Sequence, residues 1–274
     1  VLARDRDGLI GALGELAAGR PVDGPARATS RNAGKVMFVF PGQGPQWIGM
    51  AADLFAASPV FAGRLRECAA AIEEFVDWPV LDVLRGVPGA PSLDRIDVVQ
   101  PALFAMMVSL AEVWRRHGVE PVAVVGHSQG EIAAACVAGG LSLRDGARIV
   151  VTRSRLWQTL IGKGAMLAIA LPADEVARRL APWADRLAVA SDNGPQACTA
   201  SGDRAAIDEL ADALTRDGVD NRKIRGIDIA AHSAQIDALR EELLDLLAPV
   251  APAASEIALY STVTGDLLDT TTMD

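Results

Sequence analysis

The sequence has few cysteines and no apolar run long enough to cross a bilayer. Its three cysteines, Cys68, Cys136 and Cys198, are odd in number and scattered, which argues against a disulfide framework or a metal site and predicts buried free thiols. A membrane-spanning helix needs about 20 consecutive apolar residues, and the longest runs here are shorter. The opening residues, Val1–Asp7, are charged and lack the apolar segment of a secretory signal. We therefore expect a cytoplasmic protein.

Positive charge is also scarce. The chain has 26 basic and 35 acidic residues among 274, for a net charge of −9, which argues against nucleic acid or an anionic membrane as the main partner. Half of the residues are hydrophobic, which suffices for the core of one large domain or two smaller ones. No repeat or low-complexity tract is present. Because the sequence starts at Val1 without a methionine, we expect a piece of a longer polypeptide.

A G-x-S-x-G pattern, Gly126–Gly130, lies between a predicted strand and a predicted helix. Val122–Val125 is a short apolar run typical of a buried strand, and Glu131–Ala138 is an alanine-rich helical segment. Strand, tight turn and helix are the setting of a nucleophile elbow, which would place Ser128 at a helix N-terminus beside backbone donors suited to an oxyanion. The other interpretation is a glycine-rich turn that a serine caps.

A second glycine-rich turn follows the predicted strand Lys35–Phe40. Functional loops of α/β sheets lie at the carboxyl ends of strands, so this turn can lie beside the elbow. Gln43, within the turn, would then offer a donor towards Ser128. Equally, the glycines on either side of Gln43 simply shape the turn.

Helical and strand patterns cover most of the remaining chain. We predict helices at Leu9–Ala18, Ser58–Glu74, Pro101–Arg116, Leu143–Leu160 and Ser233–Leu247, and a strand at Ile257–Ser261. In between, strand, helix, strand, strand, helix and strand are predicted in turn at Ala165–Leu171, Ala173–Leu180, Leu187–Ser191, Ala197–Ser201, Arg204–Arg216 and Arg222–Ile227. The β-α-β-β-α-β order is that of a ferredoxin-like unit.

The sequence therefore predicts an α/β protein in two parts. An α/β-hydrolase-like large subdomain with a parallel sheet takes residues 35–161 and 226–274, and an inserted ferredoxin-like small subdomain takes residues 162–225. The polar stretch Arg20–Gly34 is predicted to be a linker, because it is rich in Gly, Pro and Arg.

A serine nucleophile needs a base, and three histidines are present. His127 adjoins Ser128, so its side chain points away from the serine Oγ. His117 closes a helix, where a cation favours the helix dipole. His232 remains as the general base, in a loop just before a helix. The sequence position of no Asp or Glu marks it as the third member of a catalytic triad. A backbone or amide carbonyl would orient the imidazole instead.

These residues together resemble the malonyl-CoA:acyl-carrier-protein transacylase family, and more closely the acyltransferase domain of a modular type I polyketide synthase. The matching motifs are FPGQGPQW (Phe40–Trp47), RIDVVQPAL (Arg95–Leu103), GHSQGEIAAA (Gly126–Ala135), TRS around Arg153, NGP (Asn193–Pro195), AAHS around His232 and YSTVTGDLLD (Tyr260–Asp269). Residues 1–34 resemble the end of the linker from the preceding ketosynthase. The family's domain normally continues past Asp269 into further strand and helix, so the resemblance implies a truncated C-terminal part.

The resemblance implies a ping-pong acyl transfer. Ser128 would take the acyl group from an acyl-CoA with His232 as base, while the backbone N–H of Gln129 and a donor from Gln43 hold the oxyanion. The phosphopantetheine thiol of an acyl carrier protein would then accept the acyl group, with no bound metal or redox cofactor. The flanking ketosynthase and other synthase domains are implied as further partners.

The resemblance also implies how the acyl group is recognised. Arg153, which spacing alone does not single out among its helix's arginines, would hold the free carboxylate of a malonyl-type unit in a bidentate pair. Gln100 and Asn193 are implied as pocket neighbours. Gln129 and the motif from Arg95 resemble the branch selective for methylmalonyl units.

The tetrapeptide that ends at the base departs from that branch, in which Tyr-Ala-Ser-His is usual. Here it is Ile229, Ala230, Ala231 and His232, which removes bulk and polarity near the acyl α-carbon. One hypothesis is a roomier pocket for ethylmalonyl or longer alkylmalonyl units. The other is plain methylmalonyl specificity with an altered loop. One methylene discriminates by only about 1–3 kcal/mol, which is compatible with several substrates.

Docking of an acyl carrier protein, which is usually acidic, to this acidic chain would need a local basic surface. Four cations near the end of the small subdomain are candidates: Arg216, Arg222, Lys223 and Arg225. The alternative is an ordinary solvated face. Two other functional classes also stay open: a serine hydrolase such as an editing thioesterase, which would share the elbow, and a non-catalytic docking domain, against which Ser128, His232 and Arg153 argue.

Overall fold

The computed structural model describes residues 3, 5–20, 34–224 and 228–273. Its first unit, Val1–Lys35, contains helix α1 (Arg6–Ala17), and the side chain of the N-cap Asp5 accepts a hydrogen bond from a backbone N–H of the first turn. Such a cap satisfies one of the free N–H groups at a helix start. Most of the predicted linker Arg20–Gly34 lies outside the described residues.

The second unit, Val36–Asp274, alternates strands and helices. Its strands are β1 (Val36–Phe40), β2 (Pro121–Gly126), β3 (Gly164–Ile169), β4 (Leu187–Gly194), β5 (Ala197–Asp203), β6 (Asn221–Lys223), β7 (Ala258–Tyr260) and β8 (Leu267–Leu268). Its α-helices are α2 (Ala52–Ala57), α3 (Pro59–Glu73), α4 (Val80–Arg85), α5 (Ile96–Arg116), α6 (Gly130–Ala138), α7 (Leu143–Gln158), α8 (Ala173–Arg179), α9 (Arg204–Arg216) and α10 (Arg240–Leu247). Short 3₁₀ helices occupy Ala181–Trp183, Ala234–Leu239 and Thr270–Thr272.

One sheet has the strand order β1-β2-β7-β8, in which β1, β2 and β7 are parallel and β8 is antiparallel to β7. Its register places Val124 between Phe38 and Leu259, and these side chains face the main core, on which helices α3, α5, α6 and α7 pack. The same register pairs Phe40 with Gly126. The loops after β1 and β2 therefore begin side by side, and the predicted α/β fold with a parallel sheet is confirmed.

Helix α5 runs through this core. Among the described residues it is the one helix long and apolar enough to cross a membrane, and most of it is buried within the protein. The predicted start at Pro101 is wrong, because the helix already begins at Ile96. Ile96, Val98 and Val99 are buried, and their burial outweighs the one backbone hydrogen bond that Pro101 cannot donate.

The second sheet has the order β4-β5-β3-β6, and every neighbouring pair is antiparallel. Helix α8 connects β3 to β4 and helix α9 connects β5 to β6, which gives the β-α-β-β-α-β order that the sequence predicts. A separate apolar core includes Leu167, Ile207 and Leu210. Gly162 N–H donates to Asp228 O over 2.7 Å, so the chain enters and leaves this sheet at neighbouring points.

Several predicted boundaries need correction. The predicted helix Ser233–Leu247 is a 3₁₀ helix, Ala234–Leu239, that continues directly into α10, and the side chain of Ser233 caps its start by accepting from Gln235 N–H. The predicted strand Arg222–Ile227 is seen only as β6, and residues 225–227 lie outside the described ranges. Helices α2 and α4 and strand β8 escaped prediction because they are two to six residues long, too short for a periodic pattern.

Gly146 tests the packing of α7 on α5 and α6. A Cβ at Gly146 would overlap Cys136 Sγ and lie 2.9 Å from Phe104 Cζ, whereas a Cβ at Gly63 in α3 would meet nothing within 4 Å. We expect Gly146→Ala to lower the free energy of unfolding by about 1–3 kcal/mol through overpacking. Gly63→Ala should raise it by about 0.5–1 kcal/mol, because alanine favours a helix interior. Urea denaturation measures both, and equal effects would contradict this packing.

Candidate active site

Ser128 lies at a strained turn between β2 and α6, with a φ of 52°. Residues other than glycine rarely adopt a positive φ, so contacts with neighbouring residues must hold the backbone of Ser128 in this conformation. His127 N–H donates to Phe40 O over 2.9 Å, and Glu131 N–H donates to Ser128 O over 3.0 Å. A Cβ at Gly126 would overlap the backbone of Gly130. The sequence therefore needs glycine on both sides of the serine for the turn to close.

His232 faces the serine across the site. Ser128 Oγ and His232 Nε2 are 3.0 Å apart, within hydrogen-bond distance. His232 also has a positive φ, 59°, and its ring meets the ring of Trp157 edge to face, with centroids 6.2 Å apart. Ser233 Oγ donates to Ala230 O over 2.8 Å and so closes the loop that carries the histidine. The structure thus places the predicted nucleophile and the predicted base, both in strained backbone conformations, within hydrogen-bond distance of each other.

The surroundings of His232 favour its neutral form. Loss of hydration is the first cause that lowers the pKa of His232, followed by the positive charge of Arg153 and by His127. A lowered histidine pKa leaves the imidazole unprotonated, and able to accept a proton, over a wider pH range. Within residues 34–224 and 228–273, no carboxylate hydrogen-bonds to this ring. The other histidines differ in place: His117 is the exposed C-cap of α5, and His127 lines the cavity around Ser128.

Arg153 extends from α7 and stacks on Trp157, with its guanidinium carbon 3.5 Å from the ring centroid. Its Nη1 donates to Gln100 Oε1 over 2.7 Å. Burial lowers the pKa of Arg153 to about 9, which still leaves it charged at neutral pH. No carboxylate pairs with it in the part of the chain that the structure describes. Because a buried charge without a counter-ion is costly, this guanidinium is suited to an anionic ligand.

Glutamines connect the arginine to the two turns. Gln100 is 2% exposed, and its Nε2 lies 3.4 Å from Gln43 Oε1, which places the turn after β1 beside it. Gln129 is equally buried, and neither its side-chain N nor its O has a partner among the described residues. The backbone N–H groups of Gln43 and Gln129 likewise donate to no backbone carbonyl of that part of the chain. These two N–H groups are therefore available, within the described residues, for the predicted role as oxyanion donors.

A cavity of about 640 Å³ joins these groups. Ser128, His232 and Arg153 line it together, so the structure brings the three principal predicted residues to one place. Its walls come from the elbow, α7, β4 and the residues after β7. The remaining lining residues are His127, Gln129, Glu131, Ile132, Ile149, Val189, Ala190, Ser191, Asp192, Thr262 and Val263. The cavity combines an apolar side with a buried cation, and no group of metal-ligating side chains occurs among the described residues.

Other predicted residues lie elsewhere. Asn193 lines a second cavity on the small sheet, and its Nδ2 donates to Ser191 Oγ and Thr199 Oγ1, so it is not a wall of the cavity around Ser128. The three residues before the base are buried behind it rather than in the cavity: Ile229, Ala230 and Ala231. These three predicted specificity residues therefore do not line the cavity, and they belong to the loop that carries His232.

The predicted docking cations do not form one surface. Lys223 Nζ lies 2.6 Å from Asp208 Oδ1, and Arg216 donates to the carbonyl of Asp212 in its own helix. Arg222 lines the second cavity. Consecutive strand residues point to opposite faces, so Arg222 and Lys223 diverge. Arg225 lies outside the described residues.

Sequence reasoning missed the residues that surround the predicted ones. Trp157 is four positions after Arg153 on the same helix, and this spacing favours the observed stack. Glu131 is three positions after Ser128, in the first turn of α6, which would have marked it as a neighbour. Ile149, Thr262 and Val263 carried no comparable signal, because their place in the wall follows from tertiary packing.

Comparisons with known proteins agree with this geometry. A family model described as "Acyl transferase domain" matches residues 37–274. Polyketide synthase GfsA of Streptomyces halstedii is 52% identical over 274 residues, which are 100% of this chain and 4% of that synthase. The acyltransferase domain from module 8 of the salinomycin polyketide synthase superposes with a TM-score of 0.92 at 52% identity, over 100% of this chain and 65% of that one.

A more distant structure includes a partner. It is a type II polyketide synthase acyl-carrier protein in complex with its malonyl-transacylase, with a TM-score of 0.77 and 25% identity, over 86% of this chain and 77% of that one. The present chain thus spans a small fraction of the curated synthase and about two thirds of the salinomycin domain.

The environment of His232 predicts how reactivity at Ser128 depends on pH. Labelling of Ser128 by a fluorophosphonate should fall as pH drops through the pKa of His232, because protonation removes the base. The lowered pKa places that midpoint below the value of about 6.5 for an ordinary histidine. Arg153→Ala should move the midpoint upwards by removing a nearby positive charge. Arg155→Ala, on the exposed side of the same helix, is the matched control. A midpoint that Arg153→Ala leaves unchanged would contradict the electrostatic coupling.

Proposed function

Given that the chain belongs to the acyl transferase domain family of modular polyketide synthases, we propose that it selects an α-substituted malonyl-CoA and passes the acyl group through Ser128 to the phosphopantetheine thiol of an acyl carrier protein. One observation carries the proposal: the Ser128–His232 pair, 3.0 Å apart, shares a cavity with the partly buried guanidinium of Arg153, which pairs with no carboxylate of the described residues. A thioester whose acyl group also carries an ionised carboxylate matches both the nucleophile with its base and the cation.

In the first half-reaction, His232 Nε2 takes the Ser128 proton while Oγ attacks the thioester carbonyl. The backbone N–H groups of Gln43 and Gln129 would hold the oxyanion, where one preorganised donor is worth about 3 kcal/mol. The carbon–sulfur bond then breaks, and His232 returns the proton to the CoA thiolate. In the second half-reaction, His232 takes the proton of the pantetheine thiol, whose sulfur attacks the acyl-serine carbonyl. The bond between the acyl carbon and Ser128 Oγ then breaks, and His232 returns the proton to Oγ.

The α-substituent would lie on the apolar side of the cavity, against Ile132, Ile149 and Val189. Arg153 would pair with the carboxylate, held in place by Trp157 and Gln100. Methylmalonyl and bulkier alkylmalonyl units both fit this description, since the cavity has a volume of about 640 Å³. The buried, unpartnered amide of Gln129 would complete the polar end of the pocket.

The acyl carrier protein is the proposed macromolecular partner, and the complex of a distantly related malonyl-transacylase with its carrier protein supports it. Arg216 and Arg222 are the predicted docking cations without a carboxylate partner in the described ranges, whereas Asp208 neutralises Lys223. We expect the reaction to occur in the cytoplasm beside the ketosynthase and other domains of a synthase, in keeping with three free cysteines.

Intact-mass spectrometry tests the acyl-serine directly. The protein is mixed with equimolar malonyl-, methylmalonyl-, ethylmalonyl- and longer alkylmalonyl-CoA. We expect a single adduct that Ser128→Ala abolishes and whose mass identifies the preferred substituent. A pantetheine thiol should discharge the adduct faster than water does. Discharge mainly to water would instead identify a serine hydrolase, and an adduct that survives Ser128→Ala would reject the proposed nucleophile.

Substitution of Arg153 tests recognition of the carboxylate. Arg153→Ala should lower kcat/KM for methylmalonyl-CoA about 100-fold, because a hydrogen-bonded charge contributes about 1.5–3 kcal/mol. The same substitution should lower kcat/KM for propionyl-CoA, which lacks the carboxylate, much less. Arg153→Lys should restore only part of the activity, since lysine cannot form the fork or the flat stack on Trp157. Equal losses for both thioesters would contradict the assignment, and Arg155→Ala is the control.

A further inference from the structure

Glu131 connects the elbow to the loop after β7. Its Oε1 accepts hydrogen bonds from Thr262 N–H over 2.6 Å and from Ser261 Oγ over 3.0 Å. Thr262 Oγ1 lies 3.1 Å from Gly126 O and 3.2 Å from Glu131 Oε1, so its one proton serves either acceptor. Gly126 and Glu131 lie on the two sides of Ser128. The loop is therefore hydrogen-bonded to the elbow two residues before the serine and three residues after it.

The loop connects β7 and β8, which hold its two ends in the large sheet, and Ser261 at its start is buried. Beyond these strands it makes few hydrogen bonds to the rest of the protein. Its other hydrogen bonds are internal: Ser261 N–H donates to Asp266 O over 3.0 Å, and Gly265 N–H donates to Ser261 O over 2.9 Å. Val263 is 84% exposed. Within the described residues, the side-chain and backbone bonds from this loop to the rest of the protein end on Gly126 and Glu131. Glu131 is consequently its principal anchor.

The elbow and the loop after β7 both contribute residues to the cavity that contains Ser128 and His232. Glu131, Thr262 and Val263 line the same cavity as Ser128 and His232. Ser128 is held in a φ of 52°, a conformation that costs about 1–3 kcal/mol and persists only where neighbours fix it. A charged acceptor forms stronger hydrogen bonds than a neutral one. The carboxylate thus holds a strained turn and a weakly held wall in one arrangement.

We infer that Glu131 is a positioning residue for acyl transfer: it holds the Ser261–Val263 wall against the elbow and thereby fixes the geometry at Ser128. The inference rests on the proposed function, because it takes Ser128 as the acyl carrier. Glu131 contacts no reacting atom in this role. It acts through Gly126 and Thr262, so its loss should slow the chemical steps more than it weakens substrate binding.

The test compares Glu131→Ala, Glu131→Gln and Glu131→Asp by steady-state transfer from methylmalonyl-CoA to a pantetheine thiol. Glu131→Ala should lower kcat about 10- to 100-fold with little change in KM, since displacement of a catalytic group by about 1 Å can cost about 100-fold. Glu131→Gln keeps an Oε1 acceptor and should stay within about threefold of the unmodified protein, and Glu131→Asp, which is shorter, should fall between them. Fluorophosphonate labelling of Ser128 should slow in parallel with kcat.

Two controls separate positioning from general stability. Glu241→Ala removes an exposed acid from the first turn of α10 and should leave kcat and the melting temperature unchanged. Ser261→Ala should lower kcat by itself but lower it no further in the Glu131→Ala background, because both changes break the same connection. If Glu131→Ala fails to fold, the single variant Thr262→Val takes its place. Its kcat is then compared with that of the single variant Glu131→Gln.

Three outcomes would overturn the inference: an unchanged kcat in Glu131→Ala, a loss in Glu131→Gln equal to that in Glu131→Ala, or fully additive effects of Glu131→Ala and Ser261→Ala. The acyl-serine adduct distinguishes these from failure of the proposed function. If the unmodified protein forms no adduct on Ser128, the proposed function fails. If the adduct forms and Glu131→Ala transfers it normally, only the inference on Glu131 fails.

Discussion

The close approach of Gly130 to the end of β1 is the constraint on which the site depends. A Cβ at Gly130 would overlap the carbonyl of Phe40, so only glycine lets the start of α6 reach the neighbouring strand. That approach brings the turn containing Gln43 beside the elbow, where a Cβ at Gly42 would lie 3.5 Å from Ser128 Cβ. Ser128 is strained because the chain must reverse within this space. The conformation of the nucleophile is thus a consequence of how β1, β2 and α6 pack.

Sequence patterns predicted the parts of this protein that depend on local order. The elbow around Ser128, the β-α-β-β-α-β order and the choice of His232 all follow from spacing, turn residues and elimination. The predictions failed where tertiary packing decides. Helix α5 passes through Pro101 because apolar residues before it are buried, and Asn193 lies in a different cavity because its neighbours Ser191 and Thr199 bind its amide.

Arg153 illustrates the same limit at the site. Its helix carries several arginines, and only the fold shows which one is buried beside Gln100 and Trp157. Stacking on an aromatic ring compensates part of the lost hydration without adding a negative charge. The guanidinium therefore keeps its attraction for an external carboxylate, which an internal aspartate or glutamate would have satisfied. Under the proposed function, recognition of an acidic acyl group would depend on the arginine and, equally, on the lack of a carboxylate partner for it among the described residues.

The two members of the proposed catalytic pair are held by different sheets. Ser128 is fixed by β1 and β2, whereas the loop before His232 leans on β3, where Gly164 leaves room for Ala230 and where Ile229 packs with Met166. The chain crosses between the sheets at Gly162 and Asp228, four residues before the base. The hydrogen bond between nucleophile and base therefore reports the relative placement of the two sheets. Under the proposed function, a movement of the small sheet would change both this hydrogen bond and the cavity wall that β4 provides.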